Sequence, residues 1–260
     1  ERDGLNKENR TPGRVRAERL CAVIISVIIW QIAAVCLNST LLLATPVRVA
    51  QELCRLVLEP GFWSTIWFSL LRIVVGYLAA LTLGCLLATL AARFRMLESL
   101  FWPVMSVIKS TPVASFIILC LIAMSSKNLS VFISFLMVLP IVYTNVLQGL
   151  LATDRKLMEM AGVFKMSWFT QLLYIYLPQV KPYLISACSL SLGIAWKSGV
   201  AAEVIGIPDG SIGERLYQAK VYLNSPELFA WTVVVIAVSI AFEKIFMLLL
   251  RQMYTGLEKL

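Results

Sequence analysis

The stretch LSVFISFLMVLPIVYTNVLQGLLAT, residues 129–153, runs for 25 positions without a charged side chain. A helix needs about 20 apolar residues to cross the roughly 30 Å hydrocarbon core of a bilayer, so this segment alone reads as a membrane span. Working outward, residues 73–92 give another 20 uncharged positions and residues 20–37 give 18. Of all 260 residues, 59% are apolar and 15% charged, with a mean hydropathy of +0.82. Soluble domains carry about a quarter charged residues, which excludes that class. The apolar runs predict six spans, at 20–37, about 65–92, about 100–124, 129–151, about 177–204 and 229–250. The expected fold class is an all-α, polytopic membrane protein.

The net charge of +8 is unevenly placed. Six basic residues (Arg2, Lys7, Arg10, Arg14, Arg16, Arg19) precede the first apolar run. With the N-terminus inside, inner segments hold 13 Lys and Arg, adding Arg93, Arg95, Arg155, Lys156, Lys165, Arg251 and Lys259; outer segments hold five, Arg48, Arg55, Lys127, Arg215 and Lys220. Membrane proteins keep their excess of basic residues on the cytoplasmic side, so both termini are expected in the cytoplasm of a cell (inner) membrane protein. The domain layout is then a basic tail at 1–19, a transmembrane domain at 20–250 and a short tail at 251–260. The first apolar run follows basic residues as a signal peptide would, but Leu37-Asn38-Ser39-Thr40 makes a poor cleavage site and five more spans follow. It is therefore expected to stay as the first span. No aromatic-rich polar surface accompanies the basic residues, which argues against nucleic acid.

Six cysteines (Cys21, Cys36, Cys54, Cys85, Cys120, Cys188) show no pairing or metal spacing, and the chain has no histidine. Disulfides, metal sites and histidine catalysis are not expected. Between Pro46 and Pro60, Val47, Ala50, Leu53, Cys54 and Val57 recur at helical spacing, as in an amphipathic interfacial helix. Outside, Pro208-Asp209-Gly210 signals a turn, Ser211 and Glu214 fit a capping box, and Ile212, Leu216, Ala219 and Leu223 form a stripe. The longest cytoplasmic connection is 152–176. Loops of that length in compact proteins are usually functional. Within it Leu157, Ala161, Phe164 and Trp168 fall on one helical stripe. Such a helix can lie on lipid or plug into a partner's groove, and periodicity alone leaves both open.

The residue identities decide between them. Glu159-Met160-Ala161, Lys165 and Ile175-Tyr176-Leu177-Pro178 resemble the cytoplasmic signature of permeases in binding-protein-dependent ABC importers: E-A-A, three residues, Gly, nine residues, I-x-L-P. The spacing is kept, with Met160 at the central Ala and Lys165 at the Gly position. Glycine there supplies a backbone conformation that other residues adopt at a cost, so the turn is expected to differ, with Gly162 a possible substitute. The resemblance extends over about 40–255. Thr45-Pro46, the run from Leu70 to Tyr77, Lys109-Ser110-Thr111-Pro112, and Ala195-Trp196 leading to Ala202-Glu203-Val204-Ile205-Gly206 are similar to the nitrate, sulfonate and taurine branch. The resemblance implies a type I importer transmembrane domain paired with a second permease copy, two ABC ATPase subunits and an extracytoplasmic solute-binding protein. It implies that Leu157, Glu159, Met160, Ala161, Phe164 and Lys165 seat the coupling helix in the ATPase, and that Leu177 and Pro178 open the fifth span. This chain has no phosphate-binding loop, so it is expected not to be an enzyme, with no cofactor of its own and ATP and Mg²⁺ on the partner subunits. A sulfonate, taurine or nitrate is the expected solute; a vitamin precursor or other small organic solute is the alternative.

Charges within spans are costly and usually face a bundle interior, a cavity or a partner. Lys109, Ser110, Thr111, Lys197 and Glu203 are the candidate pathway or interface residues. Arg72, Glu243 and Lys244 are placed near helix ends, where they can snorkel. Lys197 and Glu203 are six residues apart and therefore on different faces. Ser191, Gly193, Ser198 and Gly199 permit close helix contact, so the fifth span is expected at an interface or pathway. A secondary transporter is the rival, usually marked by duplicated halves, which this sequence lacks; a membrane-embedded enzyme has no nucleophile motif to support it.

Overall fold

A computed structural model describes residues 12–37 and 43–257; the expectations for Arg2, Lys7, Arg10 and Lys259 lie outside them. The described residues are helical almost throughout. In chain order the helices are α1 (Pro12–Cys36), α2 (Pro46–Val57), α3 (Phe62–Arg93), α4 (Arg95–Ser110), α5 (Val113–Ala123), α6 (Ser126–Leu151), α7 (Arg155–Val163), α8 (Trp168–Gln171), α9 (Leu177–Gly206), α10 (Ile212–Val221) and α11 (Ser225–Leu257), with a π-helical turn, Leu172–Tyr176, before α9. The chain forms two compact units, one from Glu1–Glu59 and Gln218–Thr232, the other from Pro60–Tyr217 and Val233–Leu260.

In the smaller unit, α1 exposes Val23, Ile24, Ile25, Val27, Ile28, Ile29 and Ile32 over most of its circumference and buries Ala34, as a helix does when its solvent is lipid. Trp30 meets Phe229 with ring centroids 5.6 Å apart. α2 starts at Thr45, whose hydroxyl accepts from the Arg48 N–H at 3.4 Å, with Pro46 in the first turn. Proline suits that turn because its missing N–H would have no partner there anyway. The buried positions of α2 are Val49 and Leu56; of the expected stripe, Val47, Ala50, Cys54 and Val57 are exposed and Leu53 is half-buried.

The larger unit is built on α6, which packs most extensively against α9 and α3. Of its apolar span 61% is buried, against 6% for α11, so α6 is the central post and α11 the peripheral one. Ile73 and Tyr77 of α3, Val138 and Val142 of α6, and Leu192 and Trp196 of α9 form the core. Tyr77 stands edge-on to Phe242 and Phe246, with centroids 6.4 and 5.2 Å away. Lipid supplies no hydrophobic drive between helices, so close backbone approach and interhelical hydrogen bonds must hold them. Both are present. A Cβ on Gly76 would lie 2.2 Å from the Val131 carbonyl oxygen, and one on Gly199 2.6 Å from Ile73 Cγ1 and Ser134 Oγ. Ser134 Oγ donates to the Ala195 carbonyl at 3.2 Å.

Among the described residues, α3, α6, α9 with its preceding turn, and α11 are long and apolar enough to cross a membrane. The other two expected spans differ in form. The apolar part of α1, Leu20–Cys36, is shorter than those four, about 25 Å at 1.5 Å per residue. The expected third span is broken: α4 and α5 meet at 104°. Pro112 ends α4 because the residue before a proline is pushed out of the helical region, and Thr111 there has ψ 131. The last helix continues past residue 250 to Leu257.

Candidate functional site

Helix α7 lies in the connection between α6 and α9. The Asp154 carboxylate caps it, accepting from the Lys156 N–H at 2.9 Å, an N-cap the sequence analysis did not assign although Thr153-Asp154 before a helical run is the usual sign. Ala161 is fully buried and Leu157 half-buried, so this side faces the protein itself. Met160, Val163 and Phe164 are 45%, 79% and 72% exposed, and Glu159 beside them is exposed as well. The expected stripe of Leu157, Ala161, Phe164 and Trp168 is thus divided. Its first and second members seat the helix, Phe164 follows the helix end, and Trp168 begins α8. The outward apolar patch is Met160, Val163 and Phe164, spaced i, i+3, i+4. Val163 was missed because it lies off the stripe drawn through Leu157.

The end of α7 explains the glycine position of the signature. Lys165 has φ +50, the left-handed region that favours glycine. Its N–H donates to the Gly162 carbonyl at 3.1 Å, and the Met166 N–H to Ala161 at 3.0 Å, the paired bonds of a Schellman cap. The expected difference in the turn is absent: lysine adopts the glycine conformation. Gly162 does not substitute for it, having no positive φ. Lys165→Gly should therefore stabilise this turn by about 1 kcal/mol. Slower amide hydrogen exchange across residues 160–166 is the expected readout, and unchanged exchange would count against a strained Lys165.

Beyond the cap, Ser167 Oγ accepts from the Thr170 N–H at 3.2 Å and starts α8. The helix then widens into the π turn before Leu177 and Pro178. Leu177 and Pro178 do open α9, but the chain is already helical nine residues earlier, from Trp168. Pro178 and Pro182 withhold two consecutive i→i−4 donors on one face, and the wider turn lies where that face begins.

The five pathway candidates separate into three places. Lys109 lies in the last turn of α4 at the elbow, its Nζ donating to Thr144 Oγ1 at 3.3 Å. It borders a cavity of about 130 Å³ with Glu98, Trp102, Ser106 and Tyr143. Ser110 Oγ and Thr111 Oγ1 both bond back to the Val107 carbonyl, at 3.1 and 2.8 Å, which also accepts the Thr111 N–H at 3.0 Å. Lys197 is exposed on the face of α9 that carries Leu190, Gly193 and Ile194. Apart from its own turn of helix, no heavy atom lies within 4 Å of a Cβ built on Gly193, whereas Gly199, Ser191 and Ser198 point into the bundle.

Glu203 is fully buried. Ser69 Oγ of α3 donates to its Oε2 at 2.6 Å, the Gly213 N–H of α10 donates to the same oxygen at 3.3 Å, and the Ile212 N–H donates to Ser69 Oγ at 2.9 Å. A carboxylate at a helix N-terminus is favoured by the free N–H groups there. Gly213 is required by the fit, since its Cβ would lie 2.3 Å from Glu203 Cβ. The other oxygen, Oε1, and Ser130 Oγ of α6 are both buried, and Ser130 lies near enough to interact with the carboxylate. Arg72 acts electrostatically on this carboxylate while its guanidinium lies 3.6 Å over the Phe68 ring. Arg72, Glu243 and Lys244 sit well inside α3 and α11 rather than near helix ends, because both helices extend further than the apolar runs. The capping box is present in shifted form: Ser211 Oγ accepts from the Glu214 N–H at 3.0 Å, and Glu214 Oε2 accepts from Gly210, one residue before the cap. Of the outer stripe, Ile212 and Ala219 are buried and Leu223 is exposed, with φ +53.

Comparison with known proteins fits this arrangement. Residues 73–257 match the family model described as the binding-protein-dependent transport system inner membrane component. A protein of Bacillus subtilis (strain 168) named as an aliphatic sulfonates transport permease is 28% identical over 233 residues, covering 86% of this chain and 83% of that one. The nitrate import permease of Synechocystis is 24% identical, covering 71% of this chain and 70% of its own. The bicarbonate transport system permease of Synechococcus elongatus is 25% identical, with 72% and 70% covered.

Proposed function

Because this chain belongs to the family of binding-protein-dependent transport system inner membrane components, we propose that Met160, Val163 and Phe164, with Glu159, form the surface on which separate ATPase subunits act. The chain is a multi-pass membrane protein and the permease subunit of an ABC importer. The observation that carries the proposal is an apolar patch on a nine-residue helix outside the membrane spans. Water penalises such a patch unless something covers it. A short capped helix seated on the bundle by Ala161 is stiff enough to pass the closure of an ATPase pair into α9 through the π turn. Both termini lie in the cytoplasm in this reading, and ATP and Mg²⁺ bind the partner subunits. An extracytoplasmic binding protein delivers the solute.

Lys197 supports a pair of permease subunits. An exposed ammonium within a span is costly in lipid, so it belongs against a water-filled path or a second copy of the chain, and the empty space around Gly193 leaves room for either. A small anion such as a sulfonate, taurine, nitrate or bicarbonate is the solute class that fits, given the two basic candidates Lys109 and Lys197 and the names of the relatives. The test is reconstitution in proteoliposomes with the ATPase subunits and the binding protein. Uptake that requires all three components and ATP is expected; uptake driven by a solute gradient alone would overturn the reading. Lys109→Gln should lower anion uptake about tenfold, the scale of one charge-assisted hydrogen bond, while ATPase capture is unchanged. Undiminished uptake in that variant would remove Lys109 from the path.

A further inference from the structure

A cavity of about 470 Å³ opens between the end of α3, the end of α6 and the π turn, bordered by Leu90, Arg93, Phe94, Leu150, Leu172 and Tyr176. A smaller one of about 140 Å³ shares Leu150, Leu172 and Tyr176 with it and runs on to Cys85, Val146 and Leu184. The lining changes character with depth. Along α3 the successive turns present Arg93, Thr89 and Cys85; along α6 they present Leu150 and Val146; from the π turn into α9 they present Tyr176, Val180 and Leu184. Two of the walls, α3 and the π turn with α9, therefore pass from charged or hydroxyl-bearing at the membrane face to apolar toward the bundle interior, while the α6 wall is apolar throughout and Tyr254 also lines the inner cavity. The Arg93 guanidinium is exposed, 6.0 Å from the Phe94 ring centroid.

That gradient matches an amphiphile with an anionic head and a hydrocarbon tail. Ligand cavities between bundle helices commonly span 300–1,000 Å³ and are mostly apolar with few polar groups, and basic pockets between spans on the cytoplasmic side take anionic lipid headgroups. We propose that this cavity holds an anionic phospholipid of the cytoplasmic leaflet, its phosphate on Arg93 and one acyl chain along Cys85, Val146 and Leu184. The leaflet assignment rests on the orientation proposed above. The lipid also touches Leu172 and Tyr176, two residues of the turn through which α7 drives α9. Occupancy then stiffens that turn, making coupling sensitive to membrane composition.

The test titrates the full, delipidated chain with phosphatidylglycerol and, separately, with phosphatidylcholine, counting bound lipid by native mass spectrometry. The wild-type chain is expected to retain phosphatidylglycerol about tenfold better, the scale of one charge-assisted hydrogen bond. Arg93→Gln should reduce that preference to none, and Val146→Trp, which fills the tail channel, should weaken both lipids; matching melting profiles exclude misfolding. Equal retention of the two lipids by the wild-type chain, an unchanged preference in R93Q, or displacement by inorganic phosphate alone would each overturn the proposal. Labelling of Phe164→Cys with an impermeant maleimide reports the orientation separately. Preferential lipid binding together with labelling from outside retains the site but reverses its leaflet, whereas labelling from inside without lipid preference removes the site alone.

Discussion

A chain carrying Met160→Ser, Val163→Ser and Phe164→Ser together should insert and fold normally yet lose capture of its ATPase subunits by at least about 100-fold. Each large apolar side chain buried at an interface contributes roughly 1.5–3 kcal/mol, and tenfold in affinity is about 1.4 kcal/mol. Val163 and Phe164 are largely uncovered and Met160 is about half exposed in the isolated permease, so their removal costs the fold little. Phe164→Ala alone should account for about tenfold or more. Ala161→Leu makes the opposite test: Ala161 is fully buried, and extra volume there strains the seat of α7. It should lower thermal stability before it alters the outward face. Co-purification of the ATPase with the solubilised permease is the measurement. Undiminished capture by the triple variant would place the motor contact elsewhere.

Gly76→Ala should lower the melting temperature by about 5–10 °C. Its Cβ would come within 2.2 Å of the Val131 carbonyl oxygen and 3.2 Å of the Phe135 amide nitrogen. Both are backbone atoms, so no rotamer change relieves the clash and α3 must back away from α6. Overpacking costs about 1–3 kcal/mol, here at the upper end, against about 1 kcal/mol gained in helix propensity. Each net kcal/mol is worth about 2–4 °C in a chain of this size, and separation of α3 from α6 weakens the remaining contacts of the core as well. Gly76→Leu should give no monodisperse protein. Gly193→Ala is the control, because nothing beyond its own turn of helix stands within 4 Å of its new Cβ, and it should melt no lower than the wild-type chain. A G76A chain as stable as that control would mean that α3 and α6 are not in close contact.

The helices were legible in the sequence because lipid imposes a single requirement: every backbone group must be satisfied within its own segment. Uncharged runs of the right length therefore located α3 and α6, and long apolar stretches carrying a few charges located α9 and α11. What the runs did not show was where helices stop, since a helix continues past its apolar part; this is why Glu243 and Lys244 seemed terminal and are internal. Pro112 marks the place of the elbow in the sequence, while the angle depends on packing that no local pattern records. In the coupling segment, spacing identified α7 but not which face turns inward. Ala161 and Phe164 are three residues apart and both apolar, and only the bundle beneath decides that one is covered. The Glu203 cluster was half legible. A mid-span carboxylate announces a need for partners, but Ser69 lies 134 positions away and carries no mark as its donor.

The elbow between α4 and α5 has a consequence for the surrounding membrane. At 1.5 Å per residue the two arms measure about 24 and 16 Å, and at 104° they cannot both stand along the bilayer normal. With α4 upright, α5 lies nearly flat, and this part of the chain falls short of a hydrocarbon layer about 30 Å deep. Neighbouring acyl chains must shorten or splay to follow it, at a fraction of a kcal/mol for each ångström of mismatch. Membranes rich in long, ordered chains would load that joint first, whereas thinner and more fluid ones would relieve it.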